Sequence, residues 1–178
     1  MDYSLRPGRR TMSRDINSLR NKYLGCGAYI VGRGPSLARL RAEHFMDFTW
    51  PILSINAAAG TVAKLAPPND KYLVQQDGGP HDRYANEQTT PIIHYLQERL
   101  FLKHDHRLTY HPNQWRMGLA TSTGEIAVKI AELMGCYFLM FYCFDAAVNG
   151  DGPELYKLVG KNIKKVARGI PACWALPE

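Results

Sequence analysis

Residues 121 to 145 read TSTGEIAVKIAELMGCYFLMFYCFD, a helical pattern joined to a strand pattern through a single glycine. Ile126, Ile130, Leu133 and Met134 recur at the spacing that lines one face of a helix, and Gly135 stands where a C-terminal cap is expected. From Cys136 to Phe144 the chain is continuously apolar, as a strand covered on both faces requires. Such a helix feeding such a strand is the repeating unit of an α/β protein, and the remainder of the chain can be searched for more of them.

AYIVG (28–32) is a short apolar run ended by glycine, followed by PSLARLRAEHF (35–45), which carries Leu37 and Leu40 at helical spacing. PILSIN (51–56) reads as a strand with AAAGTVAKLA (57–66) as a short helix behind it, and KYLVQQD (71–77) reads as a third strand. An amphipathic helix is predicted over 86–102 through Ile92, Ile93, Leu96, Leu100 and Phe101, then a strand at RLTYH (107–111). Beyond the opening unit, 153–168 reads as a basic helix and IPACWAL (170–176) as a last strand. This alternation predicts an α/β sandwich with a mostly parallel sheet.

The chain has 178 residues, enough for one domain with a real core, and its 46% hydrophobic and 21% charged composition is that of a globular protein. Residues 1–27 are basic and poor in apolar periodicity, which predicts an N-terminal arm or a short helix leading into a single domain over 28–178. The longest uncharged apolar stretch, Leu133 to Phe144, is too short to span a bilayer, and no apolar core follows the first charges. No membrane span, no secretory signal and a cytoplasmic location are therefore expected. Cys26, Cys136, Cys143 and Cys173 show no CxxC spacing, and three of them sit in apolar strand-like runs, where reduced thiols behaving as small hydrophobes are expected.

Arg6, Arg9, Arg10, Arg14, Arg20 and Lys22 stand against Asp2 and Asp15, so residues 1–22 carry +4 of the net +6. Lys157, Lys161, Lys164, Lys165 and Arg168 form a second basic cluster. Both are suited to a phosphate-rich partner, nucleic acid included, or to plain solvation.

In an open parallel sheet, ligands bind beyond the carboxyl ends of the strands. Five expected strand ends carry small or polar residues. After the first come Gly32, Arg33, Gly34, Pro35 and Ser36, where glycine admits close approach, Pro35 suits a first helical turn and Arg33 would clamp a diphosphate. Asn56 ends the second strand and Asp77 the third, with His81 beyond it. Thr121, Ser122, Thr123 and Gly124 precede the strong helix, where Ser122 and Glu125 have capping-box spacing, and Asp145 ends the long apolar strand.

AYIVGRGPSL (28–37) resembles the opening strand and GxGPSL loop of bacterial sialyltransferases that use CMP-sialic acid, and of the related motility accessory factors and 6-hydroxymethylpterin pyrophosphokinase-like proteins. ILSINAAAG (52–60), DKYLVQQDGG (70–79), ATSTGEIAVKIAELMGCYFLMFYCFD (120–145) and GIPACWAL (169–176) are similar to later motifs of the same family, in the same order. The resemblance implies a Rossmann-like three-layer sandwich and a glycosyltransferase-like activity, with a nucleotide or nucleotide-sugar as substrate, CMP-linked in the sialyltransferases. No metal or resident cofactor is expected. It places Gly32, Gly34, Pro35 and Ser36 against phosphate and ribose, Asn56 against the base or sugar phosphate, Thr121 to Gly124 around the donor, and Asp145 as the residue orienting them.

The family's lid between the Asp-ending strand and the last strand carries tyrosines for the leaving phosphate and a histidine base. Here residues 146–169 hold one tyrosine, Tyr156, and no histidine. A base is therefore sought among Asp77, His81 and His111, since imidazole or carboxylate can take a proton from an acceptor hydroxyl. Rival readings are a metal-dependent hydrolase built on Asp77, His81, His104, Asp105, His106 and His111, a basic nucleic-acid-binding module, and a nucleotide-binding protein that is non-catalytic or of phosphotransferase type.

Overall fold

The structure, a computed structural model, describes residues 14–75, 92–95, 107–110, 123–145, 163 and 169–177. Among the described residues eight strands form one sheet: β1 (Arg14–Asp15), β2 (Gly27–Val31), β3 (Ile52–Ile55), β4 (Lys71–Gln75), β5 (Ile92–Tyr95), β6 (Arg107–Tyr110), β7 (Phe138–Tyr142) and β8 (Ala172–Ala175). Their order is β1-β6-β5-β4-β3-β2-β7-β8, and every neighbouring pair is parallel. From β2 the chain adds strands in one direction as far as β6 and then returns to the other side of β2 with β7. The order reverses between β2 and β7, which makes their carboxyl ends the topological switch point of a Rossmann-like α/β fold.

Successive β2 side chains enter opposite faces, as a pleated strand dictates. Ala28 and Ile30 join a core with Leu53, Val74, Phe141 and helix α2 (Thr123–Leu133), while Tyr29 and Val31 join another with Ile52, Tyr142 and helix α1 (Ala58–Leu65). The sheet is thus the middle of three layers. Ile126, Ile130, Leu133 and Met134 are all buried under it, as their spacing predicts. Gly135, at φ +81°, ends α2 in a Schellman turn: its N–H donates to the Glu132 carbonyl and that of Cys136 to the Ala131 carbonyl. Among the described residues no helix is long and apolar enough to cross a membrane.

Three expectations are corrected. The helix predicted over 86–102 contains strand β5 instead. Proline in a helix interior costs about 3 kcal/mol, and Pro91 precedes the β-branched pair Ile92–Ile93, which suits a strand. The helix predicted over 35–45 is two short 3-10 turns, Pro35–Arg39 and Ala42–His44. Between them Leu40 is extended and the Arg41 N–H donates to His44 Nδ1, a local side-chain bond that replaces the helical ladder there.

The segment predicted over 1–27 as an arm or a short helix is built into the domain from Arg14 onward, and Ile16–Leu19 is a short 3-10 helix. Arg14–Asp15 is the edge strand paired with β6, and Leu19 and Tyr23 are buried. The N–H groups of Asn21 and Tyr23 donate to the Leu133 and Met134 carbonyls, supplying partners that the end of α2 lacks within itself. The basic helix predicted over 153–168 lies outside the described residues apart from Ile163, which is helical and buried. Cys136 and Cys143 are buried, whereas Cys173 is exposed.

At the amino end of the sheet, the Tyr23 hydroxyl donates to Asp70 and lies 2.6 Å from the Tyr72 hydroxyl, with the Lys22 ammonium 2.8 Å from Tyr72 and 3.2 Å from Asp70. The Lys22–Asp70 pair is solvent-facing and contributes little, so the tyrosine hydroxyls carry the cluster. The hydrogen bond from Tyr23 holds the Asp70 carboxyl below its ordinary value, against the opposing effect of burial. A depressed folded value stabilises the protein above the unfolded value near 3.8, and that contribution is lost as pH falls through the folded value. Tyr23→Phe is accordingly expected to cost about 1–2 kcal/mol near neutrality. Urea titrations from about pH 7 down to about pH 2 should show the gap from the parent narrowing in acid, and a constant gap would count against the assignment.

Candidate functional site

The carboxyl end of β2 and the carboxyl end of β7 meet over a loop that their own backbones hold down. The Gly32 N–H donates to the Tyr142 carbonyl at 2.8 Å, extending the β2–β7 ladder by one step. Past Tyr142 the chain turns at Cys143, which has φ +61°. A non-glycine residue in this region costs on the order of 1 kcal/mol and is usually held there by its surroundings. The Cys143 carbonyl accepts the Gly34 N–H at 2.8 Å.

That carbonyl also explains both glycines. A Cβ on Gly32 would stand 2.6 Å from the Cys143 oxygen, and one on Gly34 would stand 2.7 Å from it and 1.7 Å from Asp145 Oδ2. Gly34 is extended at φ −65°, ψ 164°, so close approach, not an unusual backbone, demands glycine there. Pro35 then opens the first 3-10 turn with its ring exposed.

Ser36, only 2% exposed, joins the loop to Asp145 across 109 residues of sequence. Its N–H donates to Asp145 Oδ1 at 3.1 Å and its hydroxyl to Asp145 Oδ2 at 2.9 Å. The buried Cys143 thiol lies beside this pair. Burial, reinforced by Asp145 and opposed by Ser36 and Arg39, pushes this thiol up to about 11. It is protonated at neutral pH and is packing, not a nucleophile.

Flanking β2 on its other side, Asn56 follows β3 in the left-handed region at φ +49°, where Asn is among the better tolerated residues. Its N–H donates to the Val74 carbonyl and its carbonyl accepts from Ala59 as α1 begins. Thr123 and Gly124 open α2, and a Cβ on Gly124 would be 2.5 Å from Ile163 and 3.6 Å from the Phe144 ring. Glu125, also in that first turn, is 4% exposed.

Of the residues singled out from sequence, Gly32, Arg33, Gly34, Pro35, Ser36 and Asp145 converge on the switch point. Asn56 sits at the adjacent strand end, while Thr123 and Gly124 open the helix that covers the sheet. Asp77, His81, His111, Thr121 and Ser122 lie outside the described residues, as do His104, Asp105 and His106. Sequence reading missed the part played by Cys143, which looks like any core thiol, because only the φ angle and the direction of its carbonyl reveal it.

Chemically, the cluster offers a carboxylate with both oxygens engaged by Ser36, an exposed guanidinium at Arg33, and a loop locked in one position. A carboxylate has room for about four hydrogen bonds, so Asp145 can still accept from a ligand hydroxyl. Comparison with protein-family models, with curated proteins and with solved structures finds no match to this chain.

Proposed function

We propose that the protein is a glycosyltransferase-like enzyme that takes a nucleotide-sugar across the carboxyl ends of β2, β3 and β7. The observation that carries this reading is the meeting of Gly32–Ser36 with Asp145 at the point where the order of the described strands reverses, the place where parallel α/β sheets receive nucleotides. The likeness of AYIVGRGPSL, ILSINAAAG and the Asp145 strand to the sialyltransferase motifs supports the donor class, and a CMP-linked sugar is the first donor to try.

In this reading Asp145 accepts a sugar hydroxyl of the donor while Ser36 fixes the carboxylate, and Asn56 offers its amide from the next strand. The N-terminus of α2, at Thr123 and Gly124, lends its dipole to the departing phosphate. The acceptor hydroxyl needs a base, and Asp77, His81 and His111 are the candidates, because both Asp145 oxygens already serve Ser36. That same engagement favours a second reading, a nucleotide-binding protein without transfer chemistry. Product formation from labelled nucleotide-sugars distinguishes the two.

A thermal-shift screen of nucleotides and nucleotide-sugars tests the shared premise. A ligand at about 100 times its Kd adds about 2.7 kcal/mol, which for a chain of this size raises the Tm by roughly 5–11 °C. At least one cytidine nucleotide or CMP-sugar is expected to do so. A broad panel that leaves the Tm unmoved contradicts the proposal.

A further inference from the structure

Glycine-rich loops at a switch point commonly hold phosphate on their backbone N–H groups. Here four of those donors face the protein. The amides of Gly32, Gly34 and Ser36 donate to the Tyr142 carbonyl, the Cys143 carbonyl and Asp145 Oδ1, and the amide of Leu37 donates to the Gly34 carbonyl. The Ser36 hydroxyl is committed to Asp145 Oδ2. Both glycines are required by the approach of Cys143 and Asp145, without any ligand. A phosphate reaching for the same amides would also have to displace a carboxylate, and at that distance two anions repel.

Between the two anchored glycines, Arg33 is exposed. Its guanidinium presents up to five donors in a planar fork that matches two phosphate oxygens at once. We infer that Arg33, not the loop backbone, is the specificity-determining residue for ligand charge, and that the ligand it selects carries a diphosphate or an equally charged anion. This deepens the reading above, rests on it only for the nucleoside part of the ligand, and favours a donor joined through a diphosphate over the singly phosphorylated CMP-linked sugar.

The test uses the full chain and isothermal titration with three probes: a nucleoside, the matching nucleoside diphosphate, and inorganic pyrophosphate. The diphosphate is expected to bind at least about tenfold more tightly than the nucleoside, as one bidentate charged contact warrants. Arg33→Ala should abolish that preference and pyrophosphate binding while leaving nucleoside affinity and Tm unchanged, and Arg33→Lys should keep only part of the preference. The inference is overturned if Arg33→Ala retains the full preference, or if the parent protein does not distinguish the probes. Pyrophosphate binding through Arg33 without nucleoside binding would uphold the inference and remove the nucleotide reading. Absence of binding by all three removes both.

Discussion

Gly34→Ala lowers the thermal midpoint by roughly 6–12 °C, the equivalent of about 3 kcal/mol for a chain of this size. The direction is informative because backbone considerations alone give the opposite sign. Gly34 has a φ of −65°, which alanine adopts freely, and replacing glycine at such a position ordinarily stabilises by about 0.4–1 kcal/mol through the unfolded chain. The added methyl has no space, however. It would overlap Asp145 Oδ2 at 1.7 Å and press on the Cys143 carbonyl at 2.7 Å. The carboxylate must swing away, and both hydrogen bonds to Ser36 go with it. An unchanged or raised midpoint in a circular-dichroism melt would mean that the loop does not dock on the end of β7 as described.

Asp145→Ala costs about 2–3 kcal/mol in urea unfolding, because it strips the acceptor from two donors of a residue that is 2% exposed. Asp145→Asn costs about 1 kcal/mol, since one carbonyl oxygen remains for the Ser36 N–H. Ser36→Ala combined with Asp145→Ala should fall short of the sum of the two single changes, as expected for partners in one bond network. Full additivity would show that the two residues act separately. Together the two glycine-loop predictions separate packing from hydrogen bonding: the first adds an atom where none fits, the second removes the groups that atom would displace.

The fold was legible wherever local pattern and long-range burial agree. Thr123–Leu133 and the strand after it could be read because one periodicity serves both the helix and its contact with the sheet, and Gly135 marks the joint by chemistry that glycine alone performs well. It was illegible where a local signal yields to its surroundings. Ile92 and Ile93 fit a helical stripe on paper, and Pro91 is the residue whose warning outweighs it. Leu37 and Leu40 have helical spacing, yet His44 offers the Arg41 amide a competing partner.

Residues 14–25 show no apolar periodicity because their task is to give N–H groups to the end of α2 and to place Leu19 and Tyr23, which needs no repeat. At the site, sequence identifies the strand ends but not what their polar groups do. That Ser36 and Asp145 are partners depends on β2 and β7 being neighbours, and that the Gly34 amide points inward depends on the carbonyl of one left-handed residue, Cys143.

The most direct test of a nucleotide site at the switch point is a ¹H–¹⁵N correlation spectrum of the whole chain titrated with CMP, a CMP-sugar and a nucleoside-diphosphate sugar. Saturable shifts are expected, largest at residues 32–36, at Asn56 and at Cys143 to Asp145. Shifts concentrated around Lys22, Tyr23 and Tyr72 at the opposite end of the sheet, or a spectrum that no nucleotide perturbs, would contradict it.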